Sequence, residues 1–143
     1  MRDTPLHSVS VAGAAFDEAG RVLLIRRRDN SQWQAPGGVL ELNESFEEGV
    51  VREVLEETGV QVQVERLTGV YKNLTEGVVA LVYRCRPIGG AVRPSEEARE
   101  VAWIALENSL SLMSPAFAVR VHDAACPAEQ PPASRSHDGY NLA

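Results

Sequence analysis

Apolar, β-branched residues cluster early in two runs, Ser8 to Phe16 and Arg21 to Arg27, separated by Asp17-Glu18-Ala19-Gly20. Runs of that length broken by a turn-forming tetrapeptide predict two strands. Arg28 to Gly38 has no apolar period and carries Pro36, Gly37 and Gly38, so it reads as an irregular loop. The period then changes. Phe46, Val50, Val51, Val54 and Leu55 recur at helical spacing, Ser45 followed by Glu48 has the form of a capping box, and Thr58-Gly59 supplies a glycine stop. Further strands are expected over Val62 to Tyr71 and Val78 to Arg86, linked through Lys72 to Gly77. Gly89-Gly90 marks another turn before a short strand over Val101 to Ile104, and Ser114-Pro115 opens a second helix running to about Ala125. Strands and helices alternate without a repeated βαβ rhythm, which predicts an α/β fold with a mixed β-sheet between helices.

From Pro127 the composition shifts to Pro, Ala, Ser and Glu with no apolar period. The expected organisation is one domain over residues 1–126 and a tail over 127–143, either flexible or an arm packed on a neighbouring molecule, as in a homodimer. A chain of 143 residues with 44% hydrophobic content is long enough to bury one proper core.

Charge sharpens the reading of the first helix. Glu53, Glu56 and Glu57 stand at i, i+3 and i+4, so they share one face and repel one another near a helix C-terminus, where the macrodipole also opposes them. Taking 100° per residue from Phe46, the apolar stripe spans roughly 0° to 180°, with Glu57, Glu53 and Glu56 near 20°, 340° and 280°. The acidic row is therefore expected to border the buried face. A hard divalent cation among the three carboxylates would relieve the repulsion. Gly49, near 300°, would leave room in that row for a metal or a phosphate.

A net charge of −6 and a pI near 5.1 disfavour a broad surface for duplex nucleic acid, whereas a free nucleotide stays acceptable once a cation inverts the local field. No stretch approaches 18 apolar residues, and Met1 to His7 lacks the pattern of a secretory leader. Neither membrane insertion nor secretion is expected. Cys85 and Cys126 have no metal-like spacing and read as reduced thiols, in keeping with a cytoplasmic protein.

The chemistry that these residues suit is phosphoanhydride cleavage, which needs neutralised phosphate oxygens, an activated water and in-line geometry. Magnesium takes oxygen ligands and retains waters, so Glu53, Glu56 and Glu57 read first as ligands of Mg2+, with Mn2+ able to substitute. Mutual repulsion can also raise one carboxylate into the range of a useful base. In the basic run Arg26-Arg27-Arg28, strand alternation sends Arg26 and Arg28 to one face and Arg27 to the other. Arg26 and Arg28 are the candidates for phosphate contact.

From Gly38 to Val60 the chain resembles the Nudix box at every specified position: Gly38, Glu44, Arg52-Glu53, apolar Val54, Glu56-Glu57, Gly59 and apolar Val60, in register and without a gap. Trp33 to Gly38 is similar to the approach loop of Nudix hydrolases, with Ala35 where Leu or Phe is usual. The resemblance implies the Nudix fold, a mixed sheet sandwiched between helices. It implies that Arg52 orients the neighbouring carboxylates, that Glu44 and Gly59 steady the motif, and that Gly37 offers its carbonyl to metal beside Gly38 in the substrate loop. A further acidic group is expected from a remote loop, and within Ser95 to Glu100 the resemblance favours Glu97 as ligand or general base, ahead of Glu100.

The implied activity is a magnesium-dependent hydrolase of a nucleoside diphosphate-linked substrate. Subfamily markers for ADP-ribose, diadenosine polyphosphates and coenzyme A are absent, including from the window Glu76-Gly77-Val78. A nucleoside triphosphate pyrophosphohydrolase of the MutT type is the expectation by elimination, with an ADP-ribose or nucleotide-sugar pyrophosphatase as the alternative. A non-catalytic nucleotide-binding module would keep the fold and lose acidic ligands, and none is lost here. An isoprenoid diphosphate isomerase would need an early cysteine, whereas both cysteines follow the box.

Overall fold

A computed structural model of the chain describes residues 3–143. Strands β1 (Ser8–Ala15) and β2 (Arg21–Arg27) occupy the first two apolar runs. The expected loop contains two short strands, β3 (Trp33–Gln34) and β4 (Gly37–Val39), ahead of helix α1 (Phe46–Thr58). Then come β5 (Val60–Asn73), β6 (Val78–Gly90), β7 (Ala98–Ala105), helices α2 (Leu106–Leu112) and α3 (Pro115–Ala124), and β8 (Ala133–His137). The mixed sheet has five strands in the order β4-β1-β6-β5-β8, and a three-stranded antiparallel sheet, β3-β2-β7, accompanies it. A bridge between Phe16 and Val22 joins the two.

Strand alternation divides the core into two layers. Val11, Ala15, Leu23, Tyr83 and Cys85 point to the side covered by Val50 and Val54 of α1. Ala12, Ala14, Phe16, Val22, Leu24, Ala80 and Val82 point to the other side, where Val121 and Ala124 of α3 and Met113 close the layer. Val50 and Val54 are fully buried, and each such side chain contributes about 1.5–3 kcal/mol.

Helix α1 is fixed at both ends as its sequence requires. Ser45 Oγ accepts from the Glu48 N–H at 3.1 Å while Glu48 Oε1 accepts from the Ser45 N–H at 2.8 Å, and Gly59 adopts the left-handed conformation at φ 81°. Its buried face differs from the expected stripe. Gly49, Val50, Glu53, Val54, Glu57 and Thr58 are buried, whereas Phe46, Val51 and Leu55 are substantially exposed. The helix is thus turned so that Glu53 and Glu57 lie within the buried face and only Glu56 borders it. The reason is close approach at Gly49, where an added Cβ would meet Leu40 Cδ1 at 2.6 Å and Val11 Cγ2 at 3.1 Å. Side chains fill the space that Gly49 leaves, so it is not room for a metal or phosphate.

The C-terminal segment also departs from expectation. Residues 133–137 form an edge strand parallel to Gly69–Asn73 of β5, so this part of the tail packs on its own sheet. A polar network holds it: Arg135 donates twice to Asp123 at 2.8 Å, and Asp123 accepts from the Tyr71 hydroxyl at 2.7 Å.

Candidate metal and phosphate site

Helix α1 and the loop before it converge on Glu57. The Gly37 N–H donates to Glu57 Oε1 at 2.9 Å, and Gly37 to Val39 pair with β1, so the loop is clamped between the sheet and the helix. Glu57 and Glu53 are only 4% and 8% exposed, whereas the Glu56 side chain is 59% exposed. The backbone at Gly38 lies so close to Glu53 that a Cβ there would meet both carboxylate oxygens at 2.7 Å. No residue but glycine fits without moving that carboxylate.

Arg52 organises one side of the row. Its guanidinium donates through Nε to Glu44 Oε2 at 2.9 Å, through Nη2 to Glu44 Oε1, and through Nη1 to Glu53 Oε1 at 2.9 Å, with Glu56 farther off at 3.4 Å. This planar fork suits arginine and not lysine. It drives the Glu44 carboxyl down to about 2. Glu53 moves the other way, because burial disfavours its charge by more than Arg52 restores.

Among the described residues Glu57 has no arginine partner. Burial, a hydrogen bond shared with Glu97 and the charges of Glu53 and Glu97 push its carboxyl up to about 8. Glu97 reaches this position because its carbonyl accepts from the Arg28 N–H at 2.9 Å, and because Ser95 Oγ accepts from the Ala98 N–H within the same turn. The expected remote acidic group therefore stands beside the helix. Glu100 turns away to pair with Arg26 at 3.1 Å. At the helix C-terminus Arg93 donates to the Leu55 and Glu56 carbonyls at 3.2 and 3.4 Å, offsetting the macrodipole that opposes the acidic row.

Among the described residues, no three acidic, His or Cys groups already stand at ligand distance around one point. The donor set nevertheless fits a hard cation: two buried carboxylates, one of them with no cationic partner among the described residues, border the exposed Glu56 and Glu97. Without metal a proton does the neutralising at Glu57.

The arginines of β2 are arranged otherwise than expected. Arg26 is engaged by Glu100 and the Ser31 carbonyl, and Arg28 donates to the Ser95 carbonyl at 3.0 Å. A register shift between Arg26 and Arg27 breaks simple alternation. It is Arg27 that lines the cavity with Gly37 and Gly38, bonded to Asp29 and within the field of Glu57 and Glu97. That cavity, of about 240 Å3, runs from Gly37 and Gly38 past Ala12 and Ala80 to Phe117, Arg120 and His137. Its far end comes from α3, which Ser114-Pro115 announces, and from β8, for which the sequence carried no short-range signal. Gly59 lies outside the cavity and serves as the helix cap.

No helix among the described residues is long and apolar enough to cross a membrane. The model of the NUDIX domain family matches residues 6–123. A MutT-like protein of Streptomyces ambofaciens is 54% identical over 138 residues, covering 96% of this chain and 88% of that protein. An ADP-ribose pyrophosphatase of Methanocaldococcus jannaschii is 33% identical over 110 residues, covering 72% of this chain and 65% of that protein. The crystal structure of a MutT protein from Methanosarcina mazei Go1 superposes with a TM-score of 0.73 at 31% identity, covering 87% of this chain and 96% of that one. With a family match over most of its length and a complete acidic helix, the chain belongs to the Nudix family and is a Nudix hydrolase.

Proposed function

We propose that the chain is a magnesium-dependent pyrophosphohydrolase of small nucleoside triphosphates, releasing nucleoside monophosphate and pyrophosphate. The observation that carries this reading is the acidic row itself: Glu53 and Glu57 buried on one face of α1, with Glu56 and Glu97 beside Glu57 around one cleft. Glu53, Glu56 and Glu57, with the Gly37 carbonyl, are the residues that would hold the cation. When bound, the cation would neutralise phosphate oxygens and lower the pKa of a coordinated water.

The chain's own groups supply the rest. Arg52 fixes the Glu53 carboxylate through a 2.9 Å hydrogen bond and is itself fixed by Glu44, so the row is held in place before substrate arrives. Arg27, at the rim of the cavity, is placed to meet phosphate oxygens. Glu97 takes a proton from the attacking water as its oxygen bonds to phosphorus, and the bridging P–O bond breaks to release pyrophosphate. Glu57, whose carboxyl burial holds well above the ordinary range, would give up its proton to hold the cation.

A second reading, a pyrophosphatase of ADP-ribose or a nucleotide sugar, is favoured by the likeness to the Methanocaldococcus protein. A panel of nucleoside triphosphates, ADP-ribose and nucleotide sugars, incubated with magnesium or manganese and resolved by chromatography, separates the two. Monophosphate plus pyrophosphate from triphosphates is the expected result. Preferential cleavage of ADP-ribose to AMP and ribose phosphate would select the second reading, and no turnover of any compound would contradict both.

A further inference from the structure

At the far end of the cavity, Arg120 and His137 face one another in an arrangement that lacks an acceptor. The Gly139 N–H donates to His137 Nδ1 at 2.9 Å, so the neutral ring carries its proton on Nε2. Burial and the charge of Arg120 both disfavour a second proton on this ring. Nε2 lies 3.2 Å from Arg120 Nη2, which is always a donor. Two N–H groups therefore meet with no protein acceptor between them among the described residues.

Arg120 is short of partners elsewhere too. Its Nε is buried with no hydrogen bond, and its neighbours are the faces of Phe117 at 4.5 Å and Tyr71 at 5.1 Å. The nearby carboxylate of Asp123 is already taken by Arg135 and the Tyr71 hydroxyl. Aromatic faces offset only part of the cost of desolvating a guanidinium. A cavity wall with surplus donors and a flat apolar ring beside them calls for a planar ligand bearing an acceptor oxygen.

We propose that Arg120 and His137 form a specificity pair that receives a ring keto oxygen of the substrate's base, so that keto-bearing nucleotides are preferred over their amino counterparts. This rests on the pyrophosphohydrolase reading above, which places the phosphates at the Gly37 and Gly38 end of the same cavity. An exocyclic amino group in that position adds a third donor to two already unpaired, whereas a carbonyl satisfies both. Discrimination of this kind is strong because the wrong ligand leaves buried polar groups unpaired.

ITP and ATP differ at this edge of the purine, as UTP and CTP do in the pyrimidines. Wild-type kcat/KM should favour ITP over ATP by at least about 10-fold, and the ratio should fall towards one in Arg120→Met, which keeps the packing of the stem. His137→Phe, scored the same way, serves if Arg120→Met does not fold. Calorimetric titration of IMP and AMP without metal reads the same preference independently of catalysis. Tighter, Arg120-dependent binding of IMP with no turnover of any nucleotide would sink the hydrolase reading and leave this one standing. Equal affinities and rates, or a preference for ATP, would overturn the pair's assignment. So would competition by inorganic phosphate that disappears in Arg120→Met without any keto preference, since the pair would then serve a terminal phosphate.

Discussion

The backbone N–H of Gly37 and the Glu57 carboxylate are hydrogen-bonded at 2.9 Å, tying the loop before helix α1 to the more buried of the two enclosed carboxylates. The neighbouring glycine is equally constrained from the other side. In Gly38→Ala the new methyl would overlap Glu53, whose carboxylate must swing away from Arg52. We expect turnover to fall at least about 30-fold, roughly 2 kcal/mol of transition-state stabilisation, while the melting temperature changes little. Loss of fold as large as loss of activity would show that Gly38 is a packing residue only.

Stability of the metal-free protein should depend on pH through Glu57. Its carboxyl titrates near 8 when folded and near its ordinary 4.5 when unfolded, so between those values the folded state binds more protons. Stability is then fully present below about pH 4.5 and declines as pH rises through 8. A cation replaces the proton, so the stabilisation by millimolar magnesium should grow over the same window, with proton release. Melting curves from pH 5.5 to 8.5, with and without magnesium, check the sign. Stabilisation that shrinks as pH rises would contradict it.

Much of this site was legible in the chain because it is local. Glu53, Glu56 and Glu57 share one helix with Arg52, and the cap residues Ser45, Glu48 and Gly59 fix its ends, so spacing alone brings them together. The rotation of the helix was not legible. It depends on Leu40 filling the space over Gly49, a contact between segments that no helical projection contains. Arg27 was masked by the register shift that follows Arg26, and β8 by its lack of apolar period, since an ion pair and a backbone ladder hold it. Helix α2 was missed for a related reason: its Ser109 and Ser111 bond back to the Leu106 and Asn108 carbonyls, a habit usual in turns.

Glu97 and Glu100 are separable by mutation. Glu97 is close enough to Glu57 to share a hydrogen bond, whereas Glu100 pairs with Arg26. As the base, Glu97 should give a Gln variant with intact magnesium stabilisation, depressed turnover and no recovery at high pH. As a ligand, it should give one that excess magnesium partly rescues. Glu100→Gln should be nearly silent in both titrations, and a defect confined to Glu100→Gln would reverse the assignment.

The polar anchoring of β8 predicts a stability effect remote from the chemistry. Arg135→Met removes both donors to Asp123, whose carboxylate is almost wholly buried, and leaves it chiefly the Tyr71 hydroxyl. A cost of about 1–3 kcal/mol follows, or a fall of several degrees in melting temperature. An unchanged melting curve would mean that the backbone ladder to β5 suffices.

The most direct test of the central claim is the turnover of Glu57→Gln at saturating magnesium on whichever nucleotide the wild type cleaves best. The amide can still accept from Gly37 but cannot neutralise a cation, so turnover should fall at least about 100-fold while the metal-free variant melts no lower than wild type at pH 8. Turnover within a few-fold of wild type would contradict the account, because the most buried carboxylate of the acidic helix would then have no part in the reaction.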